Sequence, residues 1–351
     1  MPKDWFAPHA AGFGPLVARL AARDLPGSTL RRAEDNAIFV SCDTEPRALH
    51  SYCRALFLLL GEGEGGLERA GREFARDSRS LGRIARGIRG VAGGFALRAF
   101  GPDDPASLPF GLRRDLESAI AHATGLHPDS ARPGREFRLQ ERADGRTLFL
   151  ERMRSPSESA TRLRAGGPPR RGELPRRGEL PRTTCRLLAE MTEPRSEDVF
   201  LDPFCGYGGI ALERALAAPY RFVFASDADR EKTTAVKEAL AAKAFERRRK
   251  TIFPKTRDAL DGGFFDAAFV TAIATDPPWG LYEGGPGAAE AGELLRGFIA
   301  EAARVLAPGG RLVLLTARGA ELEGGPHFSR RESLDVLVSG KKARVIRLDR
   351  V

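Results

Sequence analysis

The chain has 351 residues, a formal net charge of +9 and a hydrophobic fraction of 42%, so it is long enough for two or three domains and ordinary in composition for a soluble protein. No apolar run approaches the roughly 20 residues that span a bilayer, and Met1-Pro2-Lys3-Asp4-Trp5 lacks the basic-then-apolar layout of a signal peptide. Four cysteines (Cys42, Cys53, Cys185 and Cys205) lie scattered without metal-ligand spacing, which predicts a reducing, cytoplasmic setting and no metal. The positive charge favours a polyanionic partner, although the Ala, Gly and Arg richness also fits a high-GC genome.

Residues 16–25 have helical period, opened by Phe13-Gly14-Pro15-Leu16. Residues 37–41 predict a short strand. Residues 46–60 predict a second amphipathic helix, with His50 and Cys53 inside it; His50 reads as a packing or surface histidine. Residues 61–66 form a flexible turn. Residues 1–66 thus read as a small α+β module. Residues 67–90 are polar, Arg-rich and helical in part. Residues 95–100 alternate as a strand, and residues 109–125 predict a helix with Leu112, Leu116 and Ile120 on one face. Residues 136–140 and 147–150 make a hairpin around Asp144-Gly145.

Residues 153–182 hold almost no large apolar side chains, and Arg-Arg-Gly-Glu-Leu-Pro at 170–175 recurs at 176–181. From 152 to 182, nine Arg against three Glu give about +6 of the chain's charge. Such a segment cannot bury enough surface to fold alone. It reads as a basic flexible linker, able to lie across phosphates, and its repeat as a neutral duplication.

The third region begins with a helix at 183–191. A short apolar strand at 198–202 runs into Asp202-Pro203-Phe204-Cys205-Gly206-Tyr207-Gly208-Gly209 and a helix at about 210–217. Glycines in such a turn let the backbone approach a ligand closely. A second strand, 221–227, ends in Asp227-Ala228-Asp229, and an acid there is placed to hydrogen-bond a ribose. A helix follows at 230–246, with Val236 and Leu240 inward. Its end carries Arg247-Arg248-Arg249-Lys250, where cations suit the helix dipole. A third strand starts at Ile252 and leads to Asp258-Ala259. The apolar run 267–274 reads as a buried parallel strand ending in Thr275-Asp276-Pro277-Pro278-Trp279-Gly280. Two prolines hold that backbone extended. Asp276 and the Pro277 carbonyl can both accept from an exocyclic amino group, and Trp279 can stack on the ring that carries it. A helix at 290–306 stops at Pro308-Gly309-Gly310. A strand at 312–315 follows. Two more, 332–338 and 343–348, flank Gly340-Lys341-Lys342 as a closing hairpin.

The three motifs Asp-Pro-Phe-Cys-Gly-Tyr-Gly-Gly, Ser226-Asp227-Ala228-Asp229 and Asp276-Pro277-Pro278-Trp279, in this order and spacing, resemble those of class I S-adenosylmethionine (AdoMet) amino-methyltransferases. The wording around them is closest to THUMP-domain RNA guanine-N2 methyltransferases, with the match strongest over residues 183–316. The resemblance implies an α/β fold: a Rossmann-like, seven-stranded, mostly parallel sheet with a closing antiparallel hairpin over 183–351. It implies a ferredoxin-like module at 1–66 and a THUMP-like RNA-binding domain at 67–152 that grips tRNA. By resemblance, Asp202, Pro203, Phe204, Gly206 and Gly208 shape the methionine end of an AdoMet site. Asp227 and Ala228 hold the ribose, and Asp258 and Ala259 the adenine. Asp276, Pro277, Pro278 and Trp279 hold and orient the target amine. Family members more often carry Tyr than Trp after the prolines. Cys205 reads as a small packing residue.

Three function classes follow. The first is an AdoMet-dependent RNA methyltransferase acting on guanine N2, in tRNA ahead of ribosomal RNA. The second is a DNA or other amino-methyltransferase sharing the same turn. The third is an RNA-binding partner whose catalytic domain is inactive.

Overall fold

The computed structural model describes residues 2–87, 93–102, 104–131, 133–153, 179–280, 287–317 and 325–351. It divides into two compact units, Met1–Pro8 with Ala21–Ser155, and His9–Leu20 with Pro156–Val351.

The first unit is built on one sheet. Its strands are β1 (Lys3–Pro8), β2 (Thr29–Ala33), β3 (Ala37–Cys42), β4 (Leu56–Glu64), β5 (Gly94–Phe100), β6 (Pro105–Ala106), β7 (His127–Pro128), β8 (Arg135–Glu141) and β9 (Arg146–Met153). Their order is β2-β3-β1-β4-β9-β8-β5-β6, with β7 beside β5. The helices of this part of the chain are α1 (Gly14–Asp24), α2 (Gly66–Phe74), α3 (Ser78–Gly87) and α4 (Phe110–Thr124). The expected helix at 109–125 forms as α4 and buries Leu112, Leu116 and Ile120 against Phe95, Phe137 and Phe149. The expected hairpin forms as β8 and β9.

The helix expected at 46–60 does not form. A short 3-10 turn, Arg47–Ser51, precedes β4, which pairs with β1 on one side and β9 on the other. The reason is two-sided burial. Phe57 and Leu59 enter one apolar cluster, while Leu60, with Leu58 beside it, enters another. A strand buried on both faces shows no alternation, so its pattern resembles a helix segment. The turn expected at 61–66 is likewise mostly strand. A Cβ on Gly61 would meet Ser80 Oγ at 2.7 Å and the Phe74 ring at 2.9 Å, so glycine is there to let α2 and α3 lie on β4. Because β4 pairs with β9, the expected modules 1–66 and 67–152 share a single sheet.

The second unit contains β10 (Val199–Asp202), β11 (Phe222–Asp227), β12 (Ile252–Thr256), β13 (Val270–Thr275), β14 (Leu306–Thr316), β15 (Phe328–Val338) and β16 (Lys341–Arg350). The order is β12-β11-β10-β13-β14-β16-β15. The first five are parallel, and β16 runs antiparallel to both neighbours. This is the α/β sheet with a closing hairpin that the sequence predicts. The hairpin turns at Ser339 and Gly340, both at positive φ, as a tight two-residue turn requires. Helices α5 (Arg182–Met191), α6 (Gly209–Ala217), α7 (Arg230–Ala239) and α8 (Ala288–Val305) complete the unit. Leu295, Phe298 and Ala302 of α8 pack on Ile273, Leu312 and Leu314.

Two details depart from expectation. Helix α7 ends at Ala239, so Arg247-Arg248-Arg249-Lys250 does not sit at its C-terminus. Arg248 instead donates to the Ala215 carbonyl at 2.6 Å, capping the last turn of α6. Residues 9–20, expected in the N-terminal module, pack in the second unit. There Leu337 N–H donates to Ala11 O, and Gly12 lies so close to Asp335 that a Cβ would meet its carbonyl oxygen at 2.0 Å. The linker expected at 153–182 lies outside the described residues from 154 to 178.

At the start of β10 the buried Asp198 takes hydrogen bonds from two buried arginines: Arg214 to Oδ2 at 2.8 Å and Arg311 to Oδ1 at 2.6 Å. Against the opposing effect of burial, the Arg195 backbone N–H, which donates to Oδ2 at 2.8 Å, and the two cations hold its carboxyl below the usual range.

Candidate active site

The sheet order reverses beside β10, whose neighbours are β11 and β13. Ligands bind parallel sheets at such a point, in the crevice beyond the C-terminal strand ends. The motif residues converge there.

After β10 the chain turns through Gly206 at φ +52° and Gly208 at φ +87°. At Gly208 a Cβ would also strike Val236 of α7 at 2.8 Å. Gly206 N–H donates to Asp227 Oδ2 at 2.9 Å, and Asp229 N–H donates to Asp227 Oδ1 at 3.0 Å. Asp227 is therefore fixed by its own surroundings. Each oxygen keeps a second lone pair for a ligand hydroxyl. Ala228, beside it, is exposed.

Asp202 is fully buried. Thr275 Oγ1 donates to its Oδ1 at 2.7 Å, and Oδ2 has no hydrogen-bond partner among the described residues. Burial, with Asp227 and Asp276 nearby, pushes this carboxyl up to about 8. The same Thr275 hydroxyl accepts the Phe204 N–H at 3.3 Å. The Phe204 ring turns away into the core, edge-on to Phe298 at 5.2 Å. Thr275 is the residue that sequence reasoning missed, although it directly precedes the acid of the Asp-Pro-Pro-Trp motif.

Asp276 follows Thr275 at the end of β13. Trp279 Nε1–H donates to Asp276 Oδ1 at 2.7 Å, and burial pushes the carboxyl up to about 7. The indole is 4% exposed, so its faces are packed and its N–H is committed to the acid. Pro277 is buried and Pro278 exposed. Gly280, at φ +74°, brings the backbone against Ala288 at the start of α8.

Asp258 is less closely joined. Its carboxylate is exposed and accepts Leu260 N–H at 2.9 Å within its own turn. The loop is tied to the site through the backbone, where Arg257 N–H donates to Asp227 O at 3.0 Å. Ala259 lines a small cavity with Pro203, Ser226 and Phe298. Cys205 is buried and its thiol is pushed well up by burial, as a packing residue requires.

Residues 171–327 match the family model UPF0020, an RMKL-like methyltransferase domain. Among curated proteins the chain is 32% identical over 170 residues to a tRNA (guanine(10)-N2)-dimethyltransferase of Methanothermobacter thermautotrophicus, covering 46% of each chain. It is 28% identical over 246 residues to a tRNA (guanine(6)-N2)-methyltransferase of Thermus thermophilus, covering 68% of each. The match thus spans about half of the first relative and two thirds of the second. Among solved structures, TrmN from Thermus thermophilus aligns with 99% of this chain and 100% of its own, at TM-score 0.72 and 24% identity, which shows a shared fold over the whole length.

The second unit carries two acids whose carboxyls sit far above their ordinary range near 4. Between that value and about 8, folded Asp202 keeps a proton that the unfolded chain releases, so stability falls as pH rises across this window. Asp276 acts in the same sense up to about 7. Thermal melts from pH 4 to 8 should therefore show a shallower fall in Asp202→Asn than in the wild type. Parallel curves would mean that Asp202 ionises as an ordinary acid.

Proposed function

We propose that the protein transfers a methyl group from AdoMet to the exocyclic N2 amine of a guanosine in tRNA. The observation that carries this reading is the meeting, through Thr275, of an unpartnered buried Asp202 oxygen and the Asp276–Trp279 pair at adjacent strand ends. The names of the curated relatives support the choice of base and RNA.

The residues fit AdoMet. Asp202 Oδ2 is a buried acceptor lacking a donor, suited to the ammonium of the methionine end. At Gly206 a Cβ would meet nothing within 4 Å, so the turn is open there. Asp227 takes the ribose hydroxyls, and Ala259, with the Asp258 turn, takes the adenine side. When bound, AdoMet supplies an electrophilic methyl group on its sulfonium sulfur.

Guanine N2 is a poor nucleophile because its lone pair is delocalised into the ring. Asp276 Oδ2 and the Pro277 carbonyl accept its two N–H bonds, favour a pyramidal nitrogen and free the lone pair for in-line attack. Trp279 holds Oδ1 and so aims Oδ2. The C–N bond would form as the methyl–sulfur bond breaks and its electron pair stays on sulfur, releasing the neutral thioether; positive charge grows on nitrogen beside a carboxylate already in place, which is preorganised electrostatic stabilisation. Asp276 then takes the surplus N–H proton. Alignment supplies most of the acceleration, so no nucleophilic cysteine takes part.

Residues 67–152 and the basic segment up to 182 hold the RNA through phosphate contacts, and the target base is opened from its stack to reach Asp276. The four cysteines are free, which suits a cytoplasmic enzyme. No described helix is long and apolar enough to cross a membrane.

Asp276 can take the surplus proton, and offers a fully charged Oδ2 to the amine, only when ionised. Single-turnover rates should rise with pH through about 7 with the slope of one proton. A rate already flat at pH 5.5 would remove Asp276 from this role. The reading as a whole is tested by offering labelled AdoMet with unmodified tRNA, ribosomal RNA or duplex DNA. Label in tRNA is expected, label in ribosomal RNA would move the substrate, and label in DNA alone would overturn the RNA assignment.

A further inference from the structure

Strands β10 and β13 are joined by the same side-chain device twice. Thr271 Oγ1 donates to Asp198 Oδ1 at 3.0 Å and accepts Val199 N–H at 3.0 Å. Four residues on, Thr275 Oγ1 donates to Asp202 Oδ1 at 2.7 Å and accepts Phe204 N–H at 3.3 Å. Each threonine spends its one proton on a buried aspartate and one lone pair on a backbone N–H of the neighbouring segment.

The two clips differ in what else meets the carboxylate. At Asp198 the charge is matched by Arg214 and Arg311. At Asp202 the charged neighbours are themselves acids, Asp227 from β11 and Asp276 from β13. The thiols of Cys185 on α5 and Cys205 in the glycine turn lie near it as well, with Glu213 beside the first and Lys232, 3.6 Å from Asp227 Oδ1, beside the second. No described lysine or arginine bonds to Asp202, and its Oδ2 lacks a partner. A buried carboxylate ringed by acids is costly unless a cation joins it. One clip is complete within the fold; the other is complete only with a ligand.

We propose that Thr275 is a positioning residue that presents Asp202 to the ammonium group of the cofactor and, as the residue bonded to Asp276, ties cofactor binding to placement of the amine clamp. This rests on the AdoMet reading above. Thr275 is fully buried and acts only through its neighbours. Its hydroxyl proton fixes Oδ1, which leaves the buried Oδ2 as the open acceptor, and its lone pair anchors the Phe204 backbone at the start of the glycine turn. Removing the hydroxyl frees the carboxylate to rotate and stabilises its protonated form, which cannot pair with an ammonium.

The test is calorimetric binding of S-adenosylhomocysteine and 5′-methylthioadenosine to the full chain and to Thr275→Val, Thr275→Ser and Thr271→Val. The first ligand carries the ammonium and carboxylate; the second keeps the nucleoside thioether and lacks both. Thr275→Val should weaken S-adenosylhomocysteine on the order of tenfold or more, the effect of losing a charge-assisted hydrogen bond, and shift methylthioadenosine by less than about twofold. Thr275→Ser should restore the affinity. Thr271→Val should lower the melting temperature and leave both affinities in place. Equal weakening of the two ligands in Thr275→Val, or none, would overturn the proposal, because a merely structural threonine has no means of telling them apart. A wild type that binds methylthioadenosine but not S-adenosylhomocysteine also overturns it. A wild type that binds neither removes the AdoMet reading, and the proposal with it.

Discussion

Asp276→Asn should lose nearly as much activity as Asp276→Ala, on the order of 10²–10³ in kcat, the usual cost of removing one preorganised partner of the developing charge. Asparagine retains an acceptor oxygen and the shape of aspartate, which by themselves would give a small effect. Trp279 decides otherwise. Its N–H donates at 2.7 Å to Oδ1 and must meet an acceptor, because the indole is buried. The amide oxygen of asparagine takes that place, and its NH2 group then occupies the position of Oδ2. A donor would face a donor, and the target amine would be repelled rather than held. Removing the indole N–H lets the amide flip. The double variant Asp276→Asn, Trp279→Phe should therefore be more active than Asp276→Asn alone. Single-turnover rates at saturating AdoMet and RNA measure this directly. A fully active Asp276→Asn, or a double variant slower than the product of the two single effects, would show that Trp279 does not set the orientation of the acid.

The largest stability effect is expected at Asp198. Asp198→Ala leaves Arg214 and Arg311 buried without their shared carboxylate, and breaking a buried pair in this way costs about 3–5 kcal/mol. The arginines retain backbone acceptors: Arg214 reaches the Arg195, Ala218 and Pro219 carbonyls, and Arg311 the Thr192 carbonyl. Those contacts satisfy donors but not charge. Asp202→Asn is the opposite case, since it removes a buried acid that lacks a cation, and its stability near pH 7 should stay close to wild type or rise. Denaturant melts followed in the second unit compare the two. Similar losses in both variants would mean that the arginines do not distinguish the two ends of β10.

The contrast also marks what the sequence could and could not reveal. The motifs were legible because each follows a short apolar strand, and the sheet order then brings Asp202, Asp227 and Asp276 to one edge. Thr275 was not, because a threonine before Asp276 has no pattern of its own until β13 lies beside β10. The Asp198 cluster was hidden for the same reason. Its members stand at 198, 214 and 311; the parallel pairing of the strands brings in Arg311 and the packing of α6 brings in Arg214. Strand β4 was misread as helix because Leu56 to Leu60 are apolar without interruption, and two-sided burial erases the alternation that separates the two periods. The stacking face expected of Trp279 is packed in the fold, and its N–H carries the interaction instead.

The central claim is that Asp276 and its neighbours act on guanine N2. It is tested most directly by incubating the protein with isotope-labelled AdoMet and unmodified tRNA, digesting the RNA to nucleosides and identifying the labelled base by mass spectrometry. The account predicts label in N2-methylguanosine or its dimethyl form, and none with Asp276→Ala. Label on adenine or cytosine, or label on guanosine that persists in Asp276→Ala, would contradict it.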